Sequence, residues 1–119
     1  MFLILLLRLT MLNHEYAESN RLYFDNKLPP AKIVLTHNLK DDNGSVMATT
    51  FCIRVDGKLN CTIEIDPDKN PVNRTAIMTL YHEQCHVKLW GIDINHPHGE
   101  LFQDCMHDLA TKGAFDDLW

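Results

Sequence analysis

YHEQCHVKLWG, residues 81–91, sets two histidines four apart, with a glutamate beside the first and a glycine five past the second. That spacing carries meaning only on a helix. Side chains at i and i+4 share one helical face, with Cβ atoms about 5–6 Å apart. Imidazoles at His82 and His86 can then reach one metal ion at about 2.0–2.1 Å each. Glu83 is offset around the helix. It can approach the open side of the metal without ligating and accept a proton from water held there. The competing reading is two half-buried histidines satisfied by backbone carbonyls.

The flanking residues favour the helix. Asn70 can cap it with Pro71 in the first position. It is expected to run to Trp90 and stop at Gly91, a natural left-handed C-terminal residue. Upstream, residues from about 3 to 24 read as a helix, with Leu5, Leu9, Leu12, Tyr16 and Tyr23 on one face. Lys27-Leu28-Pro29-Pro30 should end it. KIVLT (32–36) reads as a strand, and residues 46–54 and 59–65 as a hairpin. A last helix is expected from about Gly99 to Lys112, with Leu101, Phe102, Cys105, Met106, Leu109 and Ala110 as its apolar stripe. Phe115, Leu118 and Trp119 should fold back onto the core. The expected fold is α+β: an N-terminal helix, a small antiparallel sheet of three strands, the motif helix and a C-terminal helix.

A zinc site needs a third ligand. Glycine three residues after the second histidine and a ligand six after would mark a metzincin. Leu89 and Ile92 occupy those places, which excludes that class. Glu100 is a formal candidate, as on the later helix of gluzincins, and His96 is another, held back by Pro97. His98 is better placed, where the chain returns from its connection and enters the last helix. Gly99 beside it permits close backbone packing.

H-E-x-x-H on one helix, followed by His98-Gly99-x-x-Phe102 opening another, resembles the SprT-like (Spartan-type) zinc metalloproteases. Asn20-Arg21-Leu22-Tyr23-Phe24, Lys27-Leu28-Pro29 and Ile63-Glu64-Ile65 fit the same pattern, so the resemblance spans about residues 12 to 112. It implies one zinc ion held by His82, His86 and His98, with Glu83 as catalytic base. It implies a peptidase acting on protein substrates, including DNA-associated ones. The chain departs from the family in its short connection, eleven residues between His86 and His98, and in showing no zinc ribbon or basic tail. In the family such extensions handle DNA, so DNA-directed function is weakly supported here. The alternative is a zinc-stabilised binding module without catalysis, with His96 or Cys105 as fourth ligand. Tyr81, Asn95 and His96 are the neighbours available to stabilise an oxyanion. His14, His37 and His107 read as surface groups.

The bulk numbers agree with one domain over residues 1–119. Hydrophobic residues make up 45% and charged ones 23% of the 119 residues, the profile of a soluble globular chain. The net charge of −5 argues against a protein that grips nucleic acid by charge alone. FLILLL at the N-terminus is far short of the roughly 18 residues of a membrane span and reads as the first turns of a buried helix. Met11 is an alternative start. An intact mass beginning at Met1 or Phe2 would reject it. Oligomeric state is not legible.

Four cysteines, Cys52, Cys61, Cys85 and Cys105, form no C-x-x-C pair. Two hairpin registers are open. A two-residue Asp56-Gly57 loop sets Cys52 opposite Cys61. A three-residue loop, Val55-Asp56-Gly57, pairs Phe51 with Cys61 and Ile53 with Leu59. Apolar alternation favours the second, which separates the cysteines onto opposite faces. Reduced thiols then point to a cytoplasmic protein, with Cys85 as a small buried hydrophobe.

Overall fold

The computed structural model describes residues 2–118. The expected docking of Trp119 and the identity of the first residue lie outside that range. Helix α1 covers Phe2–Tyr23 and strand β1 Ala31–Leu35. A two-stranded ribbon follows, β2 (Lys40–Asp41) and β3 (Gly44–Ser45). Strands β4 (Ala48–Val55) and β5 (Lys58–Ile65) form the hairpin, and helices α2 (Asn73–Lys88) and α3 (Glu100–Thr111) complete the order. The class is α+β, as expected.

The sheet is mixed, not antiparallel. Its order is β1-β5-β4, with β1 parallel to β5 and β4 antiparallel to it. The ribbon and β4 intervene between β1 and β5, and this excursion lets β5 return in the direction of β1. Central β5 alternates as a strand with one covered face should: Cys61, Ile63 and Ile65 are buried. Leu80, Cys85 and Val87 from α2, Leu12 and Tyr16 from α1, and Phe102, Cys105 and Leu109 from α3 join them in the core.

The hairpin takes the register that apolar alternation disfavoured. Val55 opposes Lys58 and Cys52 opposes Cys61 across a two-residue loop. Asp56 and Gly57 both adopt positive φ, 52° and 78°. That is the geometry a tight Asp-Gly hairpin turn requires. Turn chemistry outweighs alternation here, and it leaves β4 with an apolar outer face. Phe51, Ile53 and Val55 lie exposed there. Cys61 gives its N–H to Pro30 on the β1 side. Cys52 and Cys61 are therefore a non-hydrogen-bonded pair, the closer kind, and a disulfide joins them. A second disulfide joins Cys85 to Cys105 and links α2 to α3. Cys85 is buried as expected but not free. The step from reduced thiols to a cytoplasmic location loses its basis.

Two helix ends also move. Helix α2 begins at Asn73 with Val72 as its capping residue, not Asn70. The Asn70 side chain is taken up elsewhere: its amide donates to the carbonyls of Asp66 and Met47 at 2.9 and 3.2 Å, and its oxygen accepts from Thr79 at 2.6 Å. It thereby pins the loop before α2 to the entry of β4. At the other end α2 stops at Lys88, and Gly91 makes the left-handed turn with φ 78°.

The first turns of α1 are not buried. Phe2, Leu3, Ile4 and Leu7 are each more than 60% exposed, and tight packing starts at Leu12. Arg8 donates to the carbonyls of Asn70 and Pro71 where the helix leaves the body of the fold. No described helix is long and apolar enough to cross a membrane.

Candidate metal centre

Helix α2 presents His82 and His86 side by side, their ring centroids 5.0 Å apart. The connection to α3 brings the third imidazole to them. Asp93 adopts φ 52°, His96 N–H returns to the Asp93 carbonyl, and Gly99 N–H returns to the His96 carbonyl, both at 2.9 Å. A Cβ on Gly99 would stand 2.9 Å from the His96 Cβ and 3.1 Å from its carbonyl oxygen. The tight turn that delivers His98 therefore requires glycine, for reasons of space.

The three rings converge through one kind of atom. His98 Nε2 lies 3.2 Å from His82 Nε2 and 3.1 Å from His86 Nε2. Ligand atoms sharing a tetrahedral zinc at about 2.05 Å stand roughly 3.3 Å apart. The observed separations fit that donor set, and His82, His86 and His98 form a group that could hold a metal ion. Burial holds the His82 imidazole below its usual pKa, assisted by His98. Burial, with His82 and His98 adding to it, lowers that of His86 to about 4. Both rings are neutral near pH 7, with lone pairs free for a metal.

Glu83 stands beside the group without belonging to it. Its Oε2 is 3.9 Å from His82 Nε2. Its Oε1 accepts a 2.9 Å hydrogen bond from the Thr50 hydroxyl on β4. The residue is buried, at 4% exposure.

A sequence model of the SprT-like family matches residues 12–116. The chain belongs to the SprT-like family. No curated protein and no solved structure matches it.

The other residues weighed for the site fall outside the metal group of this SprT-like chain. His96 is turned outward and paired with Asp93 at 2.9 Å. Glu100 is exposed in the first turn of α3. Tyr81 faces α1 and donates to Glu15 at 2.6 Å, so it cannot serve an oxyanion. Asn95 is exposed and His96 alone of those three neighbours lines the cleft. Cys105 is bonded to Cys85. His14 and His107 are exposed, and His37 pairs with Asp68 at the surface.

Two residues that contact this site carry no role in the sequence reading. Phe102 was placed in the apolar stripe of α3. It touches the whole group, with ring centroids 4.7, 4.7 and 4.9 Å from those of His82, His86 and His98. The phenylalanine of the SprT-like H-G-x-x-F pattern was the available signal. Thr50 is 33 positions from Glu83, and nothing local marked it.

The position of Glu83 has a consequence for stability. Burial lifts its carboxyl from the usual 4.5 to about 7, against the opposing Thr50 bond. Between those values the folded state binds more protons than the unfolded chain, so stability falls as pH rises through that window. Glutamine at 83 has no such proton, and the histidine contributions are common to both proteins. Metal-free Glu83→Gln is expected to exceed metal-free wild type in unfolding free energy by about 1–3 kcal/mol near pH 8. The gap should close below about pH 4.5, where both the folded and unfolded carboxyls are protonated. Urea unfolding of the two proteins at both pH values measures it. Parallel pH profiles would mean that the carboxylate is solvated.

Proposed function

We propose that the chain is a zinc-dependent endopeptidase, with His82, His86 and His98 as ligands and Glu83 as general base. The observation that carries this is the convergence of three Nε2 atoms beside a buried carboxylate that is not one of them. Three imidazole nitrogen donors suit zinc. When bound, zinc would bring the pKa of a water in its open position to near 7 and polarise a carbonyl there.

The chain's own residues supply the proton handling. Thr50 ties down Oε1 of Glu83, which leaves Oε2 free on the histidine side. That oxygen takes a proton from the attacking water as the water oxygen bonds to the scissile carbon. The same proton passes to the leaving amine as the C–N bond breaks. Substrate can align along β4, the edge of the sheet. The pairing alternation turns the backbone groups of Ala48 and Thr50 toward the open edge, and both residues line the cleft. An extended peptide can add there as a further strand.

A closed structural zinc site is less well supported. Of its two candidate fourth ligands, Cys105 is bonded to Cys85, and His96 is not among the nitrogen atoms that converge with His82, His86 and His98. Zinc-loaded protein is expected to cleave an unfolded protein such as reduced, alkylated casein. A chelator should stop cleavage and added zinc restore it. Zinc-replete protein that leaves unfolded substrates intact would overturn the proposal.

A further inference from the structure

The three histidines line a cleft of about 960 Å³. Its chemistry is one-sided. Among the described residues no lysine or arginine lines it, while Asp41 and Asp93 do. Several of the chain's cations are committed elsewhere. Arg8, Lys69 and Lys112 are bonded to main-chain carbonyls, and Arg21 is paired with Glu18. The remaining walls are largely apolar. Met47, just before β4, is 47% exposed; Ile92 and Ile94 in the α2–α3 connection are 53% and 75% exposed, and Leu101 at the start of α3 is 44% exposed. Met78 and Met106 also line it. Methionine is unbranched and adapts its shape to apolar groups of different outline.

Large apolar side chains left exposed on three separate segments, around one polar centre, are the composition of a ligand site. Beyond the single zinc ion proposed above, a polyanion finds no cationic side chain along the walls, which argues against nucleic acid in this cleft. We infer that the cleft selects extended protein segments that place a bulky apolar side chain beside the scissile bond, and that it rejects acidic ones. This rests on the proteolytic reading above. Ile94 and Leu101 form the selecting wall, and desolvation against it excludes a carboxylate. Such side chains are buried in folded proteins, so the natural substrates are unfolded or flexible segments.

The test uses zinc-loaded protein and quenched fluorescent peptides, identical except for Leu, Phe, Ser or Asp beside the cleaved bond. Leu and Phe peptides are expected to exceed Ser and Asp peptides in kcat/KM by about 10–200-fold. Ile94→Lys and Leu101→Lys change exposed residues, so fold and zinc content should hold. Each is expected to lower the Leu-to-Asp preference at least about tenfold. Equal rates for all peptides, or a preference for Ser or Asp, would overturn the inference while the peptidase stands. A Leu preference that both variants leave intact would overturn the assignment to this wall. If neither these peptides nor casein is cleaved, the proteolytic reading fails and takes the inference with it.

Discussion

Glu83→Gln is expected to lose about 10²–10⁴-fold in kcat while still binding one zinc ion per chain. Glutamine keeps the volume of glutamate, and its amide can still accept from the Thr50 hydroxyl. It cannot take a proton from water. The three imidazoles are untouched, because Glu83 is not among the atoms that converge on the metal position. The two readouts separate a chemical from a structural role. A base should show normal zinc content with turnover gone. A stabilised binding module should show no loss of function, since a closed site has no use for a neighbouring carboxylate. Zinc loss in this variant would mean that Glu83 ligates and that the roles are misassigned.

His98→Ala is the second large effect. Zinc affinity is expected to fall at least about 100-fold, beyond the 10–100-fold typical of partners that only support a ligand. His82 and His86 remain on α2, but two imidazoles without a third hold the ion weakly. His98 is exposed, so its removal should cost little stability, and the loss reads ligation and not unfolding. His96→Ala is the matched control. Its side chain is turned outward onto Asp93, so zinc affinity should be unchanged. The reverse pattern, loss with His96→Ala and retention with His98→Ala, would reassign the third ligand.

Much of the site was legible because it is local in sequence. His82, Glu83 and His86 occupy one helix, whose geometry converts spacing into direction. His98 was favoured by its place where the chain enters the last helix, with a glycine after it, and Gly99 fills a position where a Cβ would collide with His96. The parts that were not legible depend on long-range pairing. Thr50 reaches Glu83 only because β4 lies along the cleft. The hairpin register turned on a competition between Asp-Gly turn geometry and apolar alternation. Alternation misled because the larger apolar residues of β4, Phe51, Ile53 and Val55, lie on its exposed face, while its covered face carries Ala48, Thr50 and Cys52. That one register decided whether Cys52 meets Cys61, and with it the reading of the thiols. The parallel pairing of β1 with β5 depended on where the chain goes between them, which no local pattern records. Asn70 was read as a cap from its place before Pro71, but tertiary partners at Thr79, Asp66 and Met47 claim its side chain.

The most direct test of the central claim is X-ray absorption at the zinc edge on the zinc-loaded protein. The proposed site predicts three imidazole nitrogens and one further light oxygen scatterer, with no sulfur, each at about 2.0–2.1 Å. A sulfur ligand, or a fourth imidazole closing the shell, would contradict it.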